Sequence, residues 1–197
     1  MINFKIKKNK GPVSPSQGGF TLVETMFAIY ILTFTIVGLM TVVANSLFSA
    51  RYAKDEITVN YLLQEVVDYV RNDRDTTVFL ESGGDWNSFF ETYDNCSAPN
   101  GCYFDVLTPN PSPVDPKTCP SGECPFLYYD ESANDTPFYV NEDGDMGIKV
   151  KTNFKRKIII QNASNPDEID VTITINWKNG SKEVTRSLST SLMNWQK

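Results

Sequence analysis

From Thr25 to Ala50 the chain reads TMFAIYILTFTIVGLMTVVANSLFSA, without one charged side chain. A helix crossing the hydrocarbon core of a bilayer needs about 20 consecutive apolar residues. This run exceeds that length and predicts a membrane-spanning helix. Lys5, Lys7, Lys8 and Lys10 precede it closely, and the first 19 residues hold no acid. The positive-inside rule then places the N-terminus in the cytoplasm and everything after about Arg51 outside. Arg51 and Lys54, on the far side, are fewer and sit beside Asp55 and Glu56.

The start of the run narrows the reading further. A secretory signal peptide has an apolar stretch of about 7–15 residues and then a small-residue cleavage site. This stretch is longer and has no such site. A plain signal anchor has no reason to carry an acid near its start, yet Glu24 lies four residues after Phe20 within GGFTLVETMFAIYIL. A carboxylate at the membrane centre costs about 2.5–3.5 kcal/mol, and less near an interface. Such an acid needs a cation as a partner.

GGFTLVE, following a lysine-rich leader and preceding a long apolar helix, resembles the type III signal of type IV prepilins and type II secretion pseudopilins. The resemblance is strongest over residues 18–45. It implies that a prepilin peptidase cuts on the cytoplasmic side between Gly19 and Phe20 and that the new amine of Phe20 is N-methylated. Glu24 becomes the fifth mature residue, whose carboxylate in this family pairs with the N-terminal ammonium of a neighbouring subunit during assembly. Cleavage would thus create the cation that Glu24 lacks. A glycine at position 19 also lets a protease bring the backbone close to its catalytic groups.

Beyond the apolar run, Val59, Leu62, Leu63, Val66, Val67 and Val70 recur at helical spacing with charges elsewhere, so the helix is expected to continue to about Asn72. Unbroken from Phe20 it would be roughly 80 Å long at 1.5 Å per residue. The stripe reads as a surface for packing a sheet. Gly38 interrupts the apolar half and suggests local loosening there during assembly.

Residues 76–145 carry the aromatic clusters WNSFFETY, CYFDVL and PFLYYD between turn-forming stretches such as PNPSPVDP, which reads as a variable, loop-rich region. Its four cysteines form two close pairs, and an even count in loops suits disulfides in an oxidising compartment. Three pairings exist for four cysteines. The local one, Cys96 with Cys102 and Cys119 with Cys124, is preferred; a zinc site is the alternative, although the intervals differ from the tighter spacing common in zinc ribbons. Asn141, Asp143 and Asp145 alternate in NEDGDMG and are weak calcium candidates, but the rest of an EF-hand loop is missing and a β-turn is the better reading.

The last third reads as antiparallel strands. EIDVTITINW sets Ile169, Val171, Ile173, Ile175 and Trp177 on one face, Asn179 and Gly180 give a hairpin signal, and Val184, Leu188 and Leu192 share a face of the next strand. With FKRKIII before them, at least three strands cover the helix's stripe. The expected fold is α+β, with one long N-terminal helix packed on a C-terminal antiparallel sheet, as in pilins. The expected segments are a leader at 1–19, a transmembrane half-helix at 20–50, an amphipathic half at 51–75, the loop-rich region at 76–145 and the sheet at 146–197. The hairpin closing in MNW is similar to pilus modification (PilV-type) minor pilins and type II secretion minor pseudopilins.

Composition restricts function. Outside the leader, 14 basic residues stand against all 24 acidic ones, a net charge near −10, and charge counting finds no basic stripe after the leader, so no nucleic-acid partner is expected. The sequence has no histidine, which removes the usual neutral-pH base and the commonest transition-metal ligand. No enzyme activity and no cofactor are expected. A membrane-anchored enzyme using acids around Asp130 to Asp145 has no nucleophile motif behind it. The resemblance implies prepilin peptidase, other pilin or pseudopilin subunits, an inner-membrane assembly platform and, before assembly, membrane lipid as partners. Major pilin and tip adhesin are the alternatives of the same kind.

Overall fold

The computed structural model describes residues 18–80, 85–106, 115–130, 138–140 and 149–194. The chain divides into two units, Met1–Ala50 and Arg51–Lys197. Helix α1, Leu22–Asp75, covers 54 residues and starts two residues after Phe20 and ends three beyond Asn72. A π-helical turn, Thr76–Leu80, follows it.

Within the first unit every described side chain is exposed, including Leu22, Phe27, Ile31, Phe34, Leu39 and Phe48. The helix runs through Gly38 without a break, and a side chain added there would meet nothing within 4 Å. Five of its hydroxyls are satisfied locally. Thr25, Thr33 and Thr35 donate to the carbonyl three residues back, and Thr41 and Ser46 to the one four residues back, at 2.8–3.0 Å. Polar groups that bond their own helix can enter an apolar solvent without leaving donors unpaired.

The second unit has a core of its own. Val59, Leu62, Leu63, Val66, Val67 and Val70 of α1 are all buried, and each such side chain contributes about 1.5–3 kcal/mol by leaving water. They pack on a seven-stranded sheet in which every pairing is antiparallel. Its strands are β1 (Cys102–Tyr103), β2 (Lys117–Thr118), β3 (Phe126–Asp130), β4 (Phe138–Val140), β5 (Lys149–Asn162), β6 (Glu168–Asn179) and β7 (Lys182–Met193). β5 is the spine. One edge pairs β6, and the opposite edge pairs β3 along its first half and β1 at Ile158. The sheet therefore recruits four short strands from residues 102–140 and is not confined to the last fifty residues, because β5 is long enough to serve two partners in series.

The alternation in β6 buries Ile169, Val171, Ile173, Ile175 and Trp177. On β7, Val184 and Leu192 are buried and Leu188 packs at the core's margin. The hairpin loop is Gly180–Ser181, since Asn179 pairs with Lys182; the turn sits one residue later than Asn179–Gly180. Gly180 has φ +62°, the conformation that a glycine at the first central position supplies without steric cost.

One core position carries a charge. Arg156 lies on the inner face of β5 between Phe154 and Ile158 and is 1% exposed. It donates to Glu65 Oε2 of α1 at 3.2 Å and to the Phe104 carbonyl at 3.1 Å. Burial pushes the Glu65 carboxyl above its ordinary range, against the pull of the Arg156 charge. Glu65 Oε1 and Arg156 Nε are buried without hydrogen-bond partners, so the pair is incompletely satisfied. A second pair lies on the same helix. Arg186 of β7 grips Glu56 with Nη2 and Nε at 2.7 and 3.2 Å, and the Tyr52 hydroxyl donates to Glu56 Oε1 at 2.6 Å.

Removing one partner of a buried pair strands the other. Arg156→Met should therefore lower stability at pH 7 by about 3 kcal/mol, while Glu65→Leu combined with Arg156→Met should recover most of that loss. A carboxyl whose folded pKa is raised favours the folded state at low pH and loses that advantage as pH rises through the folded value. The single-variant deficit should shrink on acidification. Denaturant unfolding followed by tryptophan fluorescence at both pH values measures each effect.

Candidate functional site

The candidate processing and assembly residues sit where α1 begins. Gly18, Gly19 and Phe20 are exposed and precede the helix, so the backbone between Gly19 and Phe20 is open to an approaching enzyme. Nothing lies within 4 Å of a Cβ built on either glycine. Thr21 caps the helix: its Oγ1 accepts from the Glu24 backbone N–H at 3.3 Å and its carbonyl accepts from Thr25 N–H at 3.2 Å. Glu24 is therefore the third residue of the helix, in the threonine-to-glutamate spacing of a capping box, where its negative charge also faces the positive end of the helix dipole. The T-x-x-E spacing of Thr21 and Glu24 is the sequence signal of this cap. The Glu24 carboxylate is exposed and has no ion-pair partner among the described residues.

The structure joins Cys96 to Cys102 and Cys119 to Cys124 as disulfides. Both sulfurs of each pair being consumed, the zinc alternative falls away. The two loops are held together: Cys119 N–H donates to the Gly101 carbonyl at 2.9 Å, and Lys157 Nζ reaches the Pro99 and Gly122 carbonyls at 2.7 and 3.3 Å. Asn141, Asp143 and Asp145 lie outside the described residues, as do residues 131–137 and 141–148 of the acidic stretch.

WNSFFET is a helix, α2 (Trp86–Thr92), rather than part of a loop. Asp85 caps it by accepting from Ser88 N–H at 2.7 Å, and that bond holds its carboxyl below the ordinary range. Its inner face starts an aromatic chain, Trp86 to Phe89 to Tyr93 to Phe104 to Tyr69, with ring centroids 5.4–5.9 Å apart. The Tyr93 hydroxyl donates to Asp73 of α1 at 2.7 Å. Burial, with the Asp73 charge adding to it, pushes both tyrosines up, Tyr69 to about 12.

β5 does carry a row of lysines that charge counting passed over. Lys151, Lys155 and Lys157 share the face opposite Arg156, and the row is already engaged. Lys155 pairs with Glu123 at 2.9 Å, Lys151 and Lys155 stand 4.4 and 4.9 Å from the centre of the Phe126 ring, and Lys157 clamps the disulfide loops. Among the described residues no cluster of three or more His, Cys, Asp or Glu is arranged to hold a metal.

Comparison with protein-family models, with curated proteins and with solved structures gives no match.

Gly101 joins the first disulfide loop to β1 with φ +68°, and a Cβ there would come 2.7 Å from the Ile158 carbonyl oxygen. Gly101→Ala should cost about 1–2 kcal/mol for the backbone conformation alone, with the clash added. The loss should appear as a lower melting temperature, whereas Gly38→Ala, in open helix, should not lower it.

Proposed function

We propose that this chain is a prepilin-type subunit, most closely of the minor pilin or minor pseudopilin kind, cleaved between Gly19 and Phe20 and assembled through α1 into a type IV pilus or a type II secretion pseudopilus. The observation that carries the reading is Glu24. It is an acid at the mouth of an uncharged helix of membrane-spanning length, directly after an accessible Gly19–Phe20 bond.

The chemistry that follows is one of charge pairing. Hydrolysis of the Gly19–Phe20 peptide bond releases the leader and leaves an amine on Phe20, which N-methylation keeps cationic. An intact precursor has no such amine beside Glu24, and a processed neighbour does. In a medium of low dielectric the pair is worth far more than in water, so assembly would select processed subunits and set their axial stagger. The exposed apolar face of residues 22–50 suits lipid before assembly and neighbouring helices after it. In this reading the lysine-rich leader stays cytoplasmic and the disulfide-bearing unit is extracytoplasmic, with the inner-membrane assembly platform extracting the subunit from the bilayer.

Coexpression with a prepilin peptidase should yield a mature chain whose first residue is Phe20, read by N-terminal sequencing or intact mass. An uncut chain would contradict the reading. Glu24→Ala should be cut at an undiminished rate but incorporated into filaments at a small fraction of the wild-type level, whereas Gly19→Val should block the cut itself. Incorporation of Glu24→Ala at the wild-type level would remove the assembly role.

A further inference from the structure

At the end of the globular unit where α1 finishes, α2 and the β5–β6 turn enclose an open cleft of about 400 Å³, lined by Trp86, Asn87, Phe90, Asn162, Ser164 and Pro166 together with Ala163. Its volume lies within the roughly 300–1,000 Å³ of small-ligand sites. Trp86 forms a buried floor and Phe90 a half-exposed wall. Asn87 comes from the helix side, and Asn162 and Ser164 from the turn side. These three side chains are exposed and make no hydrogen bond among the described residues, so two amides and a hydroxyl border the aromatic surface with donors and acceptors open to water or to a ligand.

Among the described residues the lining has no ionisable side chain. A cationic ligand would find no carboxylate there, and an anionic one would enter a unit with a large excess of acid over base. Nor does the cleft offer an extended peptide a free strand edge to add to. The turn backbone is spent internally: Ala163 N–H donates to the Glu168 carbonyl and Glu168 N–H to the Asn165 carbonyl, each at 3.0 Å. What remains is a neutral ligand with an apolar face to lie on a ring and a rim of hydroxyls to exchange bonds with amides. We infer that the cleft between α2 and the β5–β6 turn is a binding site for a neutral saccharide, with Phe90 and Trp86 as its stacking surface and Asn87, Asn162 and Ser164 as its hydrogen-bonding groups.

This site goes beyond assembly and stands without it, because the groups belong to one compact unit. The side chains of Asn87 and Asn162 are exposed and bond no described residue, so their removal tests binding without touching the core. The full-length chain, held in a zwitterionic detergent that contains no sugar, is titrated by calorimetry with maltotriose, cellotriose, chitotriose and mannotriose, and with trigalacturonate and trialanine as charged-sugar and peptide controls. At least one neutral trisaccharide should saturate the protein at millimolar concentration or below, and neither control should. Asn87→Ala with Asn162→Ala should weaken that binding about tenfold or more, the equivalent of about 1.4 kcal/mol, at an unchanged melting temperature. Phe90→Leu, which keeps the apolar volume but removes the ring, should weaken it too. Absence of saturation by all four neutral trisaccharides, preference for trialanine or trigalacturonate, or binding indifferent to the two asparagines would overturn the assignment.

Discussion

One helix here presents two different kinds of surface. Up to Ala50 it presents apolar side chains all round, which only lipid or other helices can accept; from Arg51 it presents a stripe, which only a sheet can complete. The rest follows from that division. The stripe runs from Val59 to Val70 and packs on a sheet built around β5, a strand of fourteen residues. A strand of that length outlasts any single short partner on its outer edge, and β3 and β1 divide that edge between them. The disulfide loops attach through β1 and are clamped by Lys157, so the least regular part of the chain hangs from its most regular strand.

The two ion pairs between helix and sheet show how register is held. An apolar stripe on a sheet tolerates sliding, since one aliphatic contact resembles the next. Arg156 on Glu65 and Arg186 on Glu56 do not, because each guanidinium reaches its carboxylate at one offset only. The Arg186 pair is partly exposed and adds little stability. The Arg156 pair is buried and incompletely hydrogen-bonded, so its net worth is small while its loss would be expensive. Specificity rather than strength is what such pairs contribute here.

What the sequence made legible follows the same physics. The six stripe residues of α1 and the five inward residues of β6 were readable because apolar side chains repeat at 3.6 and at 2 over a long window. Arg156 was not, because a cation on an otherwise apolar face looks like a break in the pattern until its partner, 91 residues earlier, is in place. α2 was missed since seven residues hold barely two turns and its aromatic content reads equally well as strand; the Asp85 to Ser88 cap was the signal available. The short strands β1, β2 and β4 have too few residues to show any period. The cleft could not be read at all, as Asn87 and Asn162 are brought together only by the fold.

Glu24 is the opposite case, legible in sequence and mute in geometry. In an isolated subunit its carboxylate does nothing that the third residue of any capped helix would not do, and its backbone N–H serves the Thr21 cap. What distinguishes it is the helix behind it, long and apolar enough to cross a membrane. A carboxylate at a helix N-terminus in water is mildly favourable; the same group carried into hydrocarbon with 26 uncharged residues behind it is costly until a cation arrives. No arrangement of the described residues provides that cation, and hydrolysis four residues upstream would. On the function proposed above, the meaning of the residue would lie in a reaction and a neighbour rather than in the fold of one chain, which is why pattern, and not packing, points to it.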